Sequence, residues 1–564
     1  MREKYLKKIT RKDQIQNQIK TQKGITLLVL VITIIILLIL AGITINAITG
    51  DNGIIGNAGR AKEEAEIANE KDILEKATVQ TMGNNKYGNI EEEELQEQLD
   101  KETGEGKTEA TDIGDEFEVL FTESNRYYTI DKNGNVGEAQ EFIEDKYPGE
   151  ITVGKDGEAL DGSEEHPYEI WCIEDVVAFS NMVNGEGIRL ENGEVVQITY
   201  RDRFVAKYVA LKANLNFKSK LSYQDSERTD FGDINGNTED GNTLINEMTT
   251  GTGFKPIGSG TNGIFQGNFN GENHNIKEIY INQPESTVGL FGTIGGTTNE
   301  VNIQNITISG NMIGSTGGGI VGYVNMSSVA PTENLIIIEN CINNATIETT
   351  DTSGGIVGYR SANNDTRSLI IANCTNNGTI EGITLGGIIG MAYRTVKIIN
   401  CCNSGNIINN SNTEGYIGAG GIVGTSMYKI DIANSYNLGN VESTGNAGGI
   451  IGYSYWAEKS IENCYSIGKI SGSVAGGIIG GLNLSNDLLT TKNCYYLNTN
   501  ISKGIGGWNS NAEALEDIQG VTDTEIQSSE ILETLNQYVT ENKTKEGIDL
   551  KSWIKGENGY PTFE

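Results

Sequence analysis

The sequence is poor in positive charge and in histidine. It carries 42 Lys and Arg against 76 Asp and Glu, a formal net charge of −34 at pH 7, and eight of the basic residues lie in the first 24 positions. Binding to nucleic acid requires clustered Lys and Arg, so nucleic acid is excluded as a partner. His166 and His274 are the only histidines, which excludes an HExxH zinc site and makes a histidine-based hydrolase triad improbable.

Proline and cysteine are also scarce. Six prolines accompany 72 glycines, whereas low-complexity disorder is usually rich in both. The hydrophobic fraction of 37% is enough for a packed interior. Seven cysteines are too few for a disulfide-dense module, and five of them recur at one position of a repeated motif, where we expect small buried side chains. We therefore predict no cofactor and no metal site.

One long segment lacks charge altogether, from Gly24 to Gly50. A helix over its roughly 24 most apolar residues would be about 36 Å long, and the hydrocarbon core of a bilayer is about 30 Å thick. The basic leader, residues 1–24, should remain in the cytoplasm. We predict a transmembrane helix over 25–50 and a single-pass protein whose bulk is extracellular.

This amino terminus resembles that of type IV prepilins and pilin-like proteins of Gram-positive bacteria. The resemblance rests on the basic leader ending in Lys23-Gly24, followed by Ile25-Thr26-Leu27-Leu28 and a long apolar helix. It implies cleavage between Gly24 and Ile25 by a prepilin peptidase, and assembly with other pilin subunits. The family usually has Glu at the fifth mature position, where this chain has Val29, so filament assembly and simple membrane anchoring both remain open.

Residues 51–145 have the pattern of a small α/β-hairpin module. Residues 57–82 favour a helix that continues outward, with i,i+4 charge pairs Lys62/Glu66 and Asp72/Lys76. The acidic stretch 91–118 is typical of a solvated linker. Two β runs follow, and Asn133-Gly134 predicts a turn, an interpretation that we prefer to a calcium loop because the glycine and terminal Glu of that loop are missing.

Two motifs alternate through most of the remaining chain. A pentapeptide GGIVG or GGIIG returns at intervals of 36, 32, 34, 28 and 28 residues, starting at Gly318, Gly354, Gly386, Gly420, Gly448 and Gly476. A second motif, such as NCTNNGTI from Asn373, lies between the copies. Alternation at about thirty residues predicts a solenoid, and short runs rich in Ile and Val predict β-strands. The fold class is therefore mainly β, a parallel β-helix with capping elements.

Equivalent residues of successive coils should stack on one another. We predict two apolar ladders inside the coil, Ile338, Ile371, Ile398, Ile432, Ile461 and Ile347, Ile380, Ile407, Val441, Ile470. We also predict a ladder of asparagine amides at left-handed turns, formed by Asn340, Asn373, Asn400, Asn434 and Asn463. Glycines such as Gly378 should permit the bend of each coil.

The two motifs resemble the GLUG repeats of bacterial surface proteins and of the non-catalytic part of some immunoglobulin A peptidases, over roughly 167–500. The resemblance implies an amino-terminal cap (146–207, with a helix in PYEIWCIEDVVAFSNMVN), a β-helix (208–508) and a carboxy-terminal cap over the last coil (509–564).

These features predict a non-enzymatic surface protein that displays a β-helical rod for adhesion to host, matrix or neighbouring cells. A membrane-tethered lyase or glycosidase acting on polysaccharide is the alternative, because β-helices can carry paired carboxylates, although no coil repeats such a pair. No catalytic residue is predicted. Aromatic side chains near the pentapeptides are the candidate contacts for a glycan or protein ligand: Tyr323, Tyr359, Tyr453, Tyr455 and Trp456. Variable insertions such as 324–335 are further candidates.

Overall fold

The structure is a computed structural model. It describes residues 54–564 apart from 86–88, 105, 113–115, 123, 125, 138, 142–150, 155–157, 186, 190–194, 198–202, 219–249, 260–262, 297–299, 327–334, 362–367, 410–416, 484–488 and 509–516. The predicted leader, cleavage site and membrane helix lie outside these residues. Within them, no helix is long and apolar enough to cross a bilayer. The described residues form two compact units, residues 54–124 with 128–139, and residues 125–127 with 140–564.

The first unit packs two helices on a small sheet. Helix α1 spans Ile54–Asn84 and α2 spans Glu92–Thr103. The sheet of this unit takes its strands in chain order, Thr108–Asp112, Glu116–Phe121 and Arg126–Asp131. The short strand Gln140–Glu141 belongs to the second unit. Its core includes Leu74 and Leu99, and the Tyr128 hydroxyl donates to the buried Glu70 carboxylate at 2.6 Å.

Two predictions about this unit are confirmed and one is wrong. Residues 57–82 are helical, and the Lys62–Glu66 pair forms at 3.4 Å. After Arg126–Asp131, Asp131 Oδ1 accepts from the backbone N–H groups of Asn133 and Asn135, which makes the turn. The acidic stretch expected as a linker instead forms α2 and a strand. Leu95 and Leu99, four residues apart, give α2 an apolar stripe that is fully buried.

The second unit is dominated by a parallel β-solenoid. Its coils contribute short strands to four columns, which we name A to D in chain order within a coil. Column A contains Tyr168–Ile170, Tyr208–Leu211, Asn268–Asn270, Val301–Gln304, Ile336–Glu339, Leu369–Ala372, Val396–Ile399, Ile430–Ala433 and the first halves of Lys459–Ser466 and Leu489–Leu497. Column B contains Leu215–Asn216, Ile342–Asn343, Thr375–Asn376, Cys402–Asn403, Tyr436–Asn437, the second halves of those last two strands, and Ile518–Val521.

Columns C and D complete each coil. Column C contains the long strands Asn275–Val288, Thr307–Gly318 and Thr346–Gly354, the first two of which begin in column B, and then pairs of short ones: Ile380–Glu381, Thr384–Gly386, Ile407–Asn409, Gly418–Gly420, Val441–Ser443, Asn446–Gly448, Ile470–Ser471 and Val474–Gly476. Column D is a separate eight-stranded sheet of Phe291–Gly296, Val321–Met326, Val357–Arg360, Ile389–Ala392, Val423–Ser426, Ile451–Tyr455, Ile479–Asn483 and Ile505–Trp508.

The predicted apolar ladders are confirmed. In column A, Ile338 pairs with Ile371, Ile371 with Ile398, Ile398 with Ile432 and Ile432 with Ile461. In column C, the register joins Ile347, Ile380, Ile407, Val441 and Ile470 in the same way. All these side chains are buried. Burying each one stabilises the stack by about 1.5–3 kcal/mol relative to exposure.

The predicted asparagine ladder, Asn340 to Asn463, is also confirmed, with one interruption. We call it the outer asparagine ladder. Each member has a left-handed φ, from +51° to +57°. The amide of Asn463 donates to Asn434 Oδ1 at 2.7 Å, Asn434 to Asn400 at 2.8 Å and Asn400 to Asn373 at 2.9 Å. Asn373 instead donates to the Glu339 carboxylate at 2.9 Å. Asparagine suits these turns because it tolerates left-handed geometry and offers both a donor and an acceptor.

A second asparagine ladder, which sequence reasoning missed, lies inside the coil and runs in the opposite donor direction. The fully buried amides of Asn343, Asn376 and Asn403 each donate to the next coil at 2.7 Å, ending on Asn437. A Cβ added to Gly355, the second glycine of a pentapeptide, would lie 2.3 Å from Asn376 Cγ. The two sequence motifs therefore recur together because the glycine makes room for the buried amide.

Gly378 does not act as predicted. Its φ is not in the left-handed region, and a Cβ there would lie 1.9 Å from the Ala345 carbonyl oxygen of the preceding coil. The glycine is required for close stacking of backbones, whereas the left-handed turn is made by asparagine.

The cysteines are buried as expected. Cys341, Cys374, Cys401, Cys464 and Cys494 lie at equivalent turns with Ser435 in the series, and none of the seven cysteines, all of which the structure describes, forms a disulfide. Burial raises the pKa of Cys494 to about 12 and that of the Cys401 thiol well above its usual range. These thiols are inert packing elements.

A helix lies within residues 146–207, where the amino-terminal cap was expected. Helix α3, Ile173–Asn184, places Phe179 among the rings of Phe204, Phe265, Phe269 and Phe291, with centroids 5.0–6.4 Å away. Beyond α3, Gly187–Arg189 and Val195–Gln197 form a hairpin. The helix therefore fills the opening of the first coils with aromatic side chains.

The carboxy-terminal segment packs against the last coil, as expected, and also against several earlier coils. Helices α4, Asp523–Ile526, and α5, Ser529–Asn542, precede the hairpins Thr544–Lys545/Ile548–Asp549 and Trp553–Lys555/Pro561–Phe563. The segment packs along the side of the solenoid, because Trp553 Nε1 donates to Asn434 Oδ1 at 2.6 Å and the Asn400 amide donates to the Asp549 carbonyl at 2.8 Å. It covers outward apolar residues such as Ile370.

Candidate functional site: an aromatic ledge on the solenoid

The turns that lead from column D to column A carry aromatic residues in three successive coils. Tyr393 follows Ile389–Ala392, Tyr428 follows Val423–Ser426, and Trp456 follows Ile451–Tyr455. Parallel stacking places these turns one above another, since Val396, Ile430 and Lys459 are in register in column A. The solenoid therefore concentrates aromatic rings at one corner.

The rings form a contiguous group, which we name the aromatic ledge: Tyr393, Arg394, Tyr428, Tyr453, Tyr455 and Trp456. The centroids of Tyr393 and Tyr428 are 5.9 Å apart, and those of Tyr428 and Trp456 are 6.1 Å apart. Tyr455 and Trp456 lie closer, at 4.5 Å. The Arg394 guanidinium lies 4.6 Å from the centre of the Tyr428 ring, a cation–π arrangement. Trp456 is 41% exposed, and the tyrosines are half-buried.

The backbone beneath Trp456 is unusual. Trp456 and Ala457 have φ values of +43° and +50°, a left-handed conformation that side chains other than Gly and Asn rarely adopt. Such residues cost of order 1–3 kcal/mol each and persist only when their surroundings hold them. The Trp456 N–H donates to the Asn483 carbonyl of the next coil at 3.3 Å.

A buried lysine holds this turn. Lys459 is 1% exposed, and its ammonium donates to the backbone carbonyls of Tyr428 (2.6 Å), Tyr455 (3.2 Å), Ala457 (2.9 Å) and Trp456. An ammonium has three N–H donors, so these four carbonyls share them. The contact with Tyr428 also ties the turn of one coil to that of the next.

The five predicted contact residues fall into two groups. Tyr323 and Tyr359 stack with centroids 5.3 Å apart and planes 11° from parallel. Burial, with a smaller contribution from Tyr323, raises the pKa of Tyr359 to about 12. The in-register positions of the next two coils are Met391 and Thr425, so this pair is separate from Tyr453, Tyr455 and Trp456.

The sequence analysis did not predict four residues of this site: Tyr393, Arg394, Tyr428 and Lys459. Aligning the repeats on the pentapeptide would have found the tyrosines, because Tyr393 and Tyr455 lie seven residues after its first glycine and Tyr428 and Trp456 lie eight after it. No sequence signal identifies Lys459 as a clamp, because its role depends on the path of the backbone around it.

A charged cavity of about 210 Å³ lies where the carboxy-terminal segment crosses column A. Four of its five charged groups form ion pairs with one another, and the fifth is Asp431. Glu462 accepts from Tyr538, from Lys545 at 3.0 Å and from Ser460 at 2.9 Å. Burial raises the pKa of Glu462, but these hydrogen bonds outweigh it and hold the pKa below its ordinary value. Lys397 pairs with Glu546 at 2.6 Å.

The remaining titratable candidates do not assemble into a recognisable centre. His274 is half-buried, and burial lowers its pKa. In the part of the chain that the structure describes, no group of three His, Cys, Asp or Glu side chains is placed to hold a metal ion. The sequence also has an acidic stretch at 230–242, DFGDINGNTEDGN. This stretch, the predicted cleavage site Gly24/Ile25 and most of the 324–335 insertion lie outside the described residues.

Comparison with known proteins gives limited matches. No protein-family model matches the chain. It is 32% identical over 116 residues to halomucin of Haloquadratum walsbyi, an alignment that covers 20% of this chain and 1% of halomucin. The solved structure of a candidate immunoglobulin A1 protease from Bacteroides ovatus matches with 19% identity and a TM-score of 0.40, covering 74% of this chain and 99% of that one. At that TM-score the match carries no conclusion about activity.

Proposed function

We propose that the protein is a cell-surface structural and adhesion protein that displays the solenoid as a rigid rod. The observation that carries this proposal is the continuity of the stack. Each isoleucine of the column A ladder is in register with its neighbours, and two asparagine ladders connect the same coils. Such a rod presents its side-chain corners repeatedly along one axis, which suits display.

The proposed attachment is through the amino terminus. The uncharged segment 25–50 would hold the protein in the membrane as a single span, after a prepilin peptidase cuts between Gly24 and Ile25. Other pilin subunits are the proposed partners if the chain enters a filament. With Val29 in place of the usual acid, we propose anchoring or a terminal position in a filament rather than a place in the shaft.

The proposal assigns no catalytic step. The carboxylates that line the charged cavity are those of Asp431, Glu462 and Glu546. Glu462 is paired with Lys545 and Glu546 with Lys397, and burial raises the pKa of Asp431. A lyase or glycosidase needs free carboxylates that face a substrate. The enzymatic alternative predicts that the purified protein releases oligosaccharides from a polysaccharide panel, whereas display predicts none.

Two measurements on native cells test the proposal. Mass spectrometry of the mature amino terminus should find Ile25, and a Gly24→Leu variant should retain the leader, with Ile25→Leu as a matched control that is still cut. Protease added to intact cells should release solenoid peptides. An intact Met1 in the native chain would contradict prepilin processing, and a chain fully protected in intact cells would contradict surface display.

A further inference from the structure

The aromatic ledge combines three features that lower stability and that a turn with only a structural role would not need. It exposes a tryptophan, it holds that tryptophan on two consecutive left-handed residues, and it buries the Lys459 ammonium among four carbonyls to keep the turn in place. Backbone strain of this kind concentrates at ligand-binding sites, where it preorganises the contact surface. The stack itself needs none of it, because the equivalent turn at Tyr393 has no left-handed residue.

The strands beneath the ledge exclude one common mode of binding. Val423–Ser426 is paired on both sides, with Ile389–Ala392 and with Ile451–Tyr455, and Ile451–Tyr455 is itself paired with Ile479–Asn483. An extended peptide recognises a sheet by adding to a free edge, and no free edge exists at these coils. Recognition at the ledge must therefore use the side chains.

The aromatic side chains of the ledge present apolar ring faces, each next to a polar hydroxyl or N–H group. Tyr393, Tyr428 and Trp456 repeat along the rod at centroid separations of 5.9 Å and 6.1 Å, of the order of a single sugar ring. The ring planes differ by 43° between Tyr393 and Tyr428 and by 73° between Tyr428 and Trp456, so a linear polymer of rings contacts several of them in succession by turning along its length. Tyrosine and tryptophan also present a hydroxyl or N–H beside the apolar face, which suits a ligand whose C–H face is ringed by hydroxyl groups.

The charge of the protein disfavours anionic polymers as ligands and favours neutral ones. With a net charge of −34, the surface repels polyanions at long range, and the ledge contributes a single guanidinium, that of Arg394, which lies over Tyr428.

We propose that the aromatic ledge binds a neutral polysaccharide by stacking sugar rings on Trp456, Tyr455 and Tyr428, and that Lys459 positions these aromatic side chains. This inference rests on the proposed adhesion function and names the ligand class for it. Stacking on uncharged rings is insensitive to salt, unlike binding between opposite charges.

Affinity electrophoresis of the detergent-solubilised full chain tests the proposal, with hydroxyethylcellulose and xyloglucan as neutral probes and polygalacturonate as the anionic one. The neutral polymers should retard the protein at both 50 mM and 500 mM salt. Trp456→Ala should weaken the retardation by at least about tenfold, as expected for a central aromatic contact. Ile554→Ala is the matched control, since Ile554 is similarly exposed (43%) on the carboxy-terminal hairpin, and it should bind like the native chain.

Lys459→Met tests the positioning role. It should weaken binding about as much as Trp456→Ala, while circular dichroism and the melting temperature show that the solenoid remains folded. If Lys459→Met unfolds the protein, Trp456→Ala and Trp456→Phe decide alone, and Phe should restore part of the affinity. Equal retardation of the native and Trp456→Ala chains overturns the proposal, as does stronger retardation by polygalacturonate. The proposal is also overturned if neither neutral polymer retards the native protein. It is overturned as well if Trp456→Ala loses binding to a matrix protein but keeps its binding to the neutral polymers. None of these outcomes bears on surface display, which the protease experiment on intact cells decides.

Discussion

Asn434 joins the solenoid to the carboxy-terminal segment, and its removal should be unusually costly. Its amide donates to Asn400 Oδ1 at 2.8 Å and to the Lys551 carbonyl at 3.0 Å, and its Oδ1 accepts from Asn463 at 2.7 Å and from Trp553 Nε1 at 2.6 Å. All four hydrogen-bonding positions are used. At about 0.5–1.5 kcal/mol net for each bond, the side chain contributes about 2–6 kcal/mol.

The comparison that isolates this contribution uses glycine, which keeps the left-handed φ of +51° without strain. Asn434→Gly should lower the free energy of unfolding by about 2–6 kcal/mol, and Asn434→Ala by about 1 kcal/mol more because alanine is strained at that φ. Asn340→Gly is the matched control. Asn340 has φ +53° and is exposed, and its amide donates to Asn305 at 3.0 Å, so its loss should cost below about 1 kcal/mol.

Urea denaturation followed by tryptophan fluorescence measures these differences, and Trp553 reports directly on the docked segment. The slope of the transition should be the same for all variants, so that the midpoints can be compared. Costs for Asn434→Gly and Asn340→Gly that agree within 1 kcal/mol would refute the assignment of the outer asparagine ladder as the docking surface.

Three further predictions concern the core, the charged cavity and the thiols. Ile398→Ala should destabilise the fold by about 2–5 kcal/mol and Ile398→Val by about 0.5–1.5 kcal/mol, measured by urea denaturation; equal costs would contradict the ladder. The folded pKa of Glu462 is lowered, so its contribution is present above the unfolded pKa and is lost as pH falls through the folded pKa. Stability of Glu462→Gln should therefore vary less with pH below about 4.5, and an unchanged pH profile would contradict this. Iodoacetamide should alkylate half-buried Cys172 before Cys401, as mass spectrometry of native protein will show; early modification of Cys401 would mean that the coil opens.

The sequence predicts the solenoid well because each coil repeats the same physical requirement. Isoleucine at one position faces the interior of every coil, and asparagine at another makes every left-handed turn, so Ile398 and Asn400 could be placed from their copies alone. The buried amide of Asn403 was missed because polar residues are expected outside, and only the opposing glycine reveals that the interior has room for it.

The features without copies were harder to predict. The carboxy-terminal segment was expected over the last coil, yet it also docks on earlier coils because Trp553 finds its partner in Asn434, a contact between single residues far apart in sequence. The acidic composition of 91–118 concealed the short apolar stripe of α2. At the site, Met391 and Thr425 separate the predicted contact residues Tyr323 and Tyr359 from Tyr453, while the ledge depends on a turn whose geometry is set by Lys459.

Cross-linking of outward column C positions tests the stacking of coils most directly. Glu348 and Glu381 are in-register neighbours, and Glu442 lies two coils beyond Glu381, or about 10 Å further along the stack at roughly 4.8 Å per coil. In a Cys172→Ser background, a short bis-maleimide should join the two cysteines of Glu348→Cys/Glu381→Cys within one chain and should leave Glu348→Cys/Glu442→Cys unjoined. Equal cross-linking of both pairs, or of neither, would contradict a single parallel stack.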